Sequence, residues 1–157
     1  MCNIDIQSPE FVKCLEQGEQ EAFQRLFETF HKALCFFAAR IVRDHLEAED
    51  IVQDVFLSFW KMDRGGFPNL KTIKTFLYNS VQHRCLNYLR DLEIRDRNYR
   101  NLKREELDED YFLCQQIRAE VVAELFGAID ELPDKCKEIF KRSYVDGQED
   151  KKIAEEL

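Results

Sequence analysis

The chain contains few residues that interrupt helices, with 5 Gly and 3 Pro among 157 residues. No segment of useful length alternates apolar and polar residues, so strands are not predicted. The composition is 45% hydrophobic, with 13 Phe, and 34% charged, which suits packed cores and excludes a disordered chain. We therefore predict an all-α fold, long enough for one ordinary domain or two small ones.

A long apolar run is also missing. The longest apolar stretch, residues 33–39 with two apolar residues soon after, is far short of the about 20 residues that a membrane-spanning helix needs. The first ten residues lack the basic and then apolar segments of a signal peptide. We expect a cytoplasmic location.

The six cysteines include no Cys-x-x-Cys pair, and a disulfide framework is not predicted. Five lie in helical patterns among apolar neighbours, as reduced thiols would: Cys14, Cys35, Cys85, Cys114 and Cys136. A metal or redox site is the alternative, because Glu28, His31 and Cys35 are spaced by about one helical turn. A di-iron bundle would need Glu-x-x-His on two helices, and neither His45 nor His83 has a Glu three residues before it. We expect no metal and no other cofactor.

Motifs for catalysis are absent from the sequence. It has no nucleophile beside a base, no Gly-rich phosphate loop and no carboxylate pair in a recognisable motif. The sequence therefore predicts a binding protein, not an enzyme, and no small-molecule substrate.

The net charge of −8 disfavours DNA binding, because neutralising phosphates requires Lys and Arg. However, the charge is unevenly distributed. Residues 71–104 contain nine basic and three acidic residues, a local charge of +6. This stretch could lie along a phosphate backbone, although a charge run by itself is more often the solvated end of a helix.

Helix signals organise the chain into two parts. In the first, Asp44 and Glu47 form a capping box before one helix, and a Gly-rich loop at residues 64–69 separates it from the next. The preceding helix repeats apolar residues at a period of 3.6: Phe23, Leu26, Phe27, Phe30, Leu34, Phe37, Ala38 and Ile41.

The predicted organisation is two small helical domains, at residues 1–94 and 111–157, joined by a charged linker at 95–110. The linker is rich in charge and poor in large apolar residues. After it, Pro133 begins one short helix and Gly147 stops it. Periodic apolar residues return on one face of the helix before Pro133: Ile117, Val121, Leu125, Ala128 and Leu132.

Residues 48–60, AEDIVQDVFLSFW, form a helix with two distinct faces. The apolar face contains Ile51, Val52, Val55, Phe56, Phe59 and Trp60. The opposite face is a mostly acidic stripe of Asp50, Gln53, Asp54, Leu57 and Lys61. From spacing alone, such a stripe is usually the wet side of an amphipathic helix.

Residues 76–90, FLYNSVQHRCLNYLR, divide in the same way. The core side contains Leu77, Val81, Cys85, Tyr88 and Leu89, and the polar side contains Asn79, Gln82, His83, Asn87 and Arg90. Amide, imidazole and guanidinium groups are suited to hydrogen bonds with base edges and phosphates.

These two blocks and the last block, LPDKCKEIFKRSYVDGQEDKKIAEEL at residues 132–157, resemble the extracytoplasmic-function (ECF) group of bacterial sigma-70 factors. The resemblance covers about residues 21–90 and 120–157, and its specificity lies in the order and spacing of the blocks. It implies a sigma region 2-like helical bundle and a partial region 4-like domain. The implied function is a sigma factor that directs RNA polymerase core to promoters and initiates transcription.

The resemblance assigns two surfaces. The first would bind a coiled coil of the largest polymerase subunit through Asp50, Gln53 and Asp54, supported by Phe56 and Trp60. The second would read the minus-10 promoter element as single-stranded DNA, through Phe67, Asn69, Lys71, Lys74, Asn79, Gln82, His83, Asn87 and Arg90. Several positions depart from the common family residues, so promoter preference does not transfer: Phe76 (often Trp), Asn79 and Gln82 (often Arg), His83 (often Asn) and Asn87 (often Asp).

The last residues, 150–157, resemble the first helix of a helix-turn-helix. Its second helix, which reads bases, would follow residue 157, so we expect a fragment truncated within this motif. The alternative function is a helical protein-interaction module, bound to an anti-sigma factor or to polymerase without reading DNA independently. An anti-sigma factor is an expected partner in either case.

Overall fold

A computed structural model describes residues 5–63, 65–95 and 108–156. These residues form helices and turns with no strand, which confirms the predicted all-α fold. Within these ranges, none of the helices is long and apolar enough to span a membrane. The helices are α1 (Pro9–Glu16), α2 (Gln20–Val42), α3 (His45–Lys61), α4 (Leu70–Arg95), α5 (Glu109–Asp130), α6 (Asp134–Phe140) and α7 (Asp150–Glu156), with a π-helical turn at Lys141–Val145.

The junction between α2 and α3 is a single-residue turn. Arg43 adopts the left-handed conformation with φ of 58°, and Asp44 follows as the N-cap of α3. The Asp44 Oδ1 atom accepts hydrogen bonds from the backbone N–H groups of Leu46 and Glu47, at 3.0 and 3.2 Å. The predicted start of this helix is confirmed, and the short turn lets α3 fold back along α2.

The core lies where α2, α3 and α4 pack together. The apolar stripe of α2 supplies much of it, and the ring of Phe37 meets Tyr78 of α4 edge to face at 5.2 Å. The most deeply buried side chains come from all three helices and from α1: Phe11, Leu15, Leu26, Leu34, Phe37, Val52, Val55, Phe56, Phe59, Ile73, Leu77 and Val81.

The chain divides into two compact units, one up to Glu120 and one from Val121. The predicted boundary lay in the linker at 95–110, of which residues 96–107 fall outside the described ranges. The first half of α5 belongs to the first unit because Phe112 and Ala119 join its core. The buried Gln115 also accepts a hydrogen bond from Arg40 Nε at 3.3 Å.

The periodic apolar face of α5 lies on the solvent side of the helix. Ile117, Val121 and Leu125 are 54%, 59% and 51% exposed. The buried residues in the first half of α5 are instead Phe112, Gln115 and Ala119. Because α5 is apolar on more than one side, its periodicity does not determine which side packs.

The second unit contains α6, the π-helical turn and α7. Arg142 links α6 to α7, with ion pairs to Glu138 at 2.9 Å and to Glu156 at 2.7 Å. Ile153 of α7 is buried. These short helices agree with the predicted helical segments on either side of Gly147, which has φ of 68°.

We predict that Phe37→Ala lowers the free energy of unfolding by about 3–5 kcal/mol, because it removes a ring from the middle of a packed core. Leu57→Ala is the control, since Leu57 is 53% exposed on α3 and its loss should change stability by less than about 0.5 kcal/mol. Urea unfolding followed by circular dichroism measures both. Equal losses in the two variants would show that the core is not where the structure places it.

Candidate protein-binding and nucleic-acid-binding surfaces

The acidic stripe of α3 faces solvent. Asp50, Gln53 and Asp54 are all exposed, while Val52 and Val55 on the opposite side are buried. The sequence pattern therefore predicted correctly which side of α3 is exposed to solvent. Two carboxylates and an amide along about one turn form a row of hydrogen-bond acceptors that suits a basic protein surface.

Phe56 and Trp60 lie behind this acidic stripe and hold α3 against α2. Phe56 is buried, and its ring centre is 4.9 Å from that of Phe27. Trp60 is half-buried, and its ring centre is 4.7 Å from that of Phe23. Their geometry fits the supporting role expected for them, because they orient the helix and leave its acidic side outward.

The polar face of α4 is accessible along its length. Asn79, His83 and Arg90 are exposed, and Gln82 and Asn87 are half-buried. The guanidinium of Arg90 donates a hydrogen bond from Nη2 to Asn87 Oδ1 at 2.6 Å. This contact sets the two side chains in one orientation, with further N–H donors of Arg90 available to phosphate oxygens.

Two residues of the loop before α4 have structural roles. The ring of Phe67 packs against Phe59 and Phe76, with centre distances of 5.9 and 5.4 Å. The Asn69 Oδ1 atom accepts hydrogen bonds from the backbone N–H and the side-chain hydroxyl of Thr72, at 2.9 and 2.8 Å. Phe67 thus anchors the loop to the core, and Asn69 caps α4.

The two lysines in the first turns of α4 have different surroundings. Lys71 is exposed. Lys74 is half-buried, and its Nζ lies 2.6 Å from Glu120 Oε1 of α5. Of the two, Lys71 is the more accessible cation for a phosphate, and Lys74 helps to hold α5 against α4.

A cavity of about 170 Å³ opens between α3 and α4, beside the acidic stripe. Phe76 gives it an aromatic wall, and its other lining residues are Val55, Ser58, Ser80, His83 and Arg84. Of these, sequence reasoning selected only His83 for a site. Phe76 could also have been selected, because it stands where family members often have Trp. Nothing in the pattern of α4 singled out Ser80 or Arg84.

The alternative metal site has two of the three side chains in contact. Cys35 Sγ lies 3.5 Å from His31 Nε2, in a cavity of about 200 Å³ that His45 and Glu49 also line. Within residues 5–63, 65–95 and 108–156, no three His, Cys, Asp or Glu side chains are placed to hold a metal ion together. Burial, and secondarily Glu49, raises the pKa of Cys35 to about 11, so its thiol is protonated at neutral pH. Two side chains in contact are fewer than the three or four protein ligands of a zinc site.

We predict that iodoacetamide at pH 8 modifies Cys114 and Cys136, which are exposed, far faster than Cys35. A thiolate is the attacking species, and a pKa raised from 9.0 to about 11 lowers the thiolate fraction by about a hundredfold. Modification of Cys35 should rise steadily with pH up to about 11 and should be faster in Glu49→Gln, which removes the nearby negative charge. Mass spectrometry of timed samples measures each site, and equal rates at pH 8 would contradict the expectation.

Comparison with known proteins identifies the helices that form these surfaces. Residues 26–94, from α2 to α4, match the sigma-70 region 2 family. The chain is similar to the ECF RNA polymerase sigma factor SigX of Bacillus subtilis, with 23% identity over 146 residues, covering 88% of this chain and 73% of SigX. It is also similar to the ECF RNA polymerase sigma factor SigK of Mycolicibacterium vanbaalenii, with 22% identity over 148 residues, covering 90% and 73%. No solved structure gave a significant match. The acidic and polar faces therefore lie within the segment that matches sigma-70 region 2, and the chain is similar to ECF sigma factors over most of its length.

Proposed function

We propose that the protein is a sigma factor that binds RNA polymerase core through the acidic stripe of α3 and captures melted minus-10 DNA with α4 and the preceding loop. Catalysis then belongs to the polymerase, and the protein acts where the polymerase does, in the cytoplasm. The observation that supports this most directly is the cavity between α3 and α4, because it adjoins both surfaces.

The cavity has the chemistry that an unstacked nucleobase requires. Phe76 offers an aromatic surface for stacking, and the side chains of Ser80, His83 and Arg84 offer hydrogen-bonding groups at its edge. Base stacking on an aromatic side chain contributes about 1–3 kcal/mol and tolerates every base, because each base has a π face. The polar edge would then favour some bases over others.

Local charge supports DNA capture despite the net charge of −8. Lys71 and Arg90 are exposed on α4, within the stretch of +6 that begins at residue 71. Phosphate contacts act over short distances in physiological salt, where the Debye length is about 8 Å. The acidic residues elsewhere would repel duplex DNA and make the binding of duplex DNA depend on the polymerase.

The exposed apolar side of α5 favours a second, protein-binding role. Leu113, Ile117, Val121 and Leu125 recur every four residues, and each is more than half exposed. A helix that is apolar on both sides is normally covered on both sides. An anti-sigma factor with a complementary apolar helix is the partner we propose for this side.

We predict that Asp54→Ala weakens binding to bacterial core RNA polymerase about tenfold to a hundredfold, since it removes a charge-assisted hydrogen-bond acceptor from the interface. Fluorescence titration of the labelled protein with core enzyme measures the affinity. The control is Glu16→Ala, which removes an exposed carboxylate from α1 and should leave affinity unchanged. Wild-type affinity in Asp54→Ala would reject the acidic stripe as the docking surface.

We predict that His83→Ala leaves core binding unchanged and weakens capture of single-stranded DNA by the complex with core about fivefold to a hundredfold. The reason is that His83 is exposed at the mouth of the cavity. Binding of a labelled single-stranded oligonucleotide to the complex measures the effect. His45→Ala, at an exposed histidine at the start of α3, is the matched control, and equal losses in both variants would place DNA elsewhere.

A further inference from the structure

Arg84 connects the two proposed surfaces. It lies on α4, and its Nη2 donates a hydrogen bond to Ser58 Oγ of α3 at 3.0 Å. Its Nη1 lies 3.9 Å from Asp54 Oδ2. Because Asp54 and Ser58 are four residues apart, one guanidinium spans a full turn of α3. The same side chain also lines the cavity beside His83.

The contact between Arg84 and Asp54 is one that a partner can replace. The side chains of Arg84 and Asp54 are 42% and 61% exposed, and 3.9 Å is at the outer limit of an ion pair. Exposed pairs of this kind are weak. A cationic group that binds Asp54 closely, through a bidentate or shorter hydrogen bond, would compete with Arg84 for the carboxylate.

A guanidinium that leaves Asp54 can donate hydrogen bonds to another group. It has five N–H donors, of which one is given to Ser58 in this structure. Arg84 already lines the cavity, so a modest rotation would direct the remaining donors towards a phosphate or a base there. An Arg held by a carboxylate attracts phosphate less than the same Arg with its charge uncompensated.

We propose that Arg84 couples the two surfaces. When a cationic partner binds Asp54, the released guanidinium of Arg84 strengthens DNA binding at the cavity. The inference rests on the proposed function, since it assumes a cationic partner at Asp54 and single-stranded DNA at α4. Any such coupling is reciprocal, so DNA in the cavity would also strengthen binding at Asp54 by the same factor.

The test uses the whole chain without polymerase and a labelled, mixed-sequence single-stranded DNA oligonucleotide at low ionic strength. Asp54→Asn mimics occupation by removing the carboxylate charge and should tighten DNA binding about 1.5-fold to fivefold, the range of an exposed ion pair. Asp50→Asn removes the same charge one turn away on the same stripe and should tighten binding less. In an Arg84→Ala background, the additional gain from Asp54→Asn should disappear.

Three outcomes would overturn the proposal. Equal gains from Asp50→Asn and Asp54→Asn would mean that only general repulsion of DNA has been relieved. A gain from Asp54→Asn that persists in the Arg84→Ala background would mean that Arg84 is not the link. No gain, or no binding by any variant, would mean that the released guanidinium does not reach DNA. These DNA-binding measurements do not involve polymerase. If Asp54 does not contact polymerase, the separate core-binding experiment would show it, because Asp54→Ala would bind core enzyme with wild-type affinity.

Discussion

The packing of α2 against α3 and α4 is the constraint on which both surfaces depend. Phe37, Phe56 and Phe59 are almost completely buried between these helices, and burial of large apolar side chains is the main favourable contribution to folding. Each helix gives one apolar face to this core. The faces that remain, acidic on α3 and polar on α4, are turned to solvent because the opposite faces are committed to packing.

The aromatic residues between α2 and α3 also determine how precisely the acidic stripe is held. Phe23, Phe27, Phe56 and Trp60 form a continuous set of ring contacts with centre distances of 4.7 to 6.2 Å. Rings held by packing have few alternative rotamers. The stripe is therefore presented on a rigid helix, which lowers the entropy lost when a partner binds.

The cavity between α3 and α4 brings an aromatic ring and polar side chains together on the surface of the bundle. Its aromatic wall, Phe76, comes from the same cluster that holds Phe67 and the loop before α4 in place. The polar groups at its edge come from one face of α4, and Ser58 comes from α3. Packing that stabilises the bundle thus also shapes the binding surface, so a change in the core at Phe59 or Phe76 would alter the site as well as stability.

The sequence by itself determined the helices, the outward faces of α3 and α4, and the resemblance to ECF sigma factors, because each depends on residues spaced within a few turns. It did not determine which side of α5 is buried, since that helix is apolar on more than one side. Nor did it place Arg84 against Ser58, a contact between residues 26 positions apart. Only the tertiary structure decided these features, because they depend on how helices cross, which periodicity within one helix does not specify.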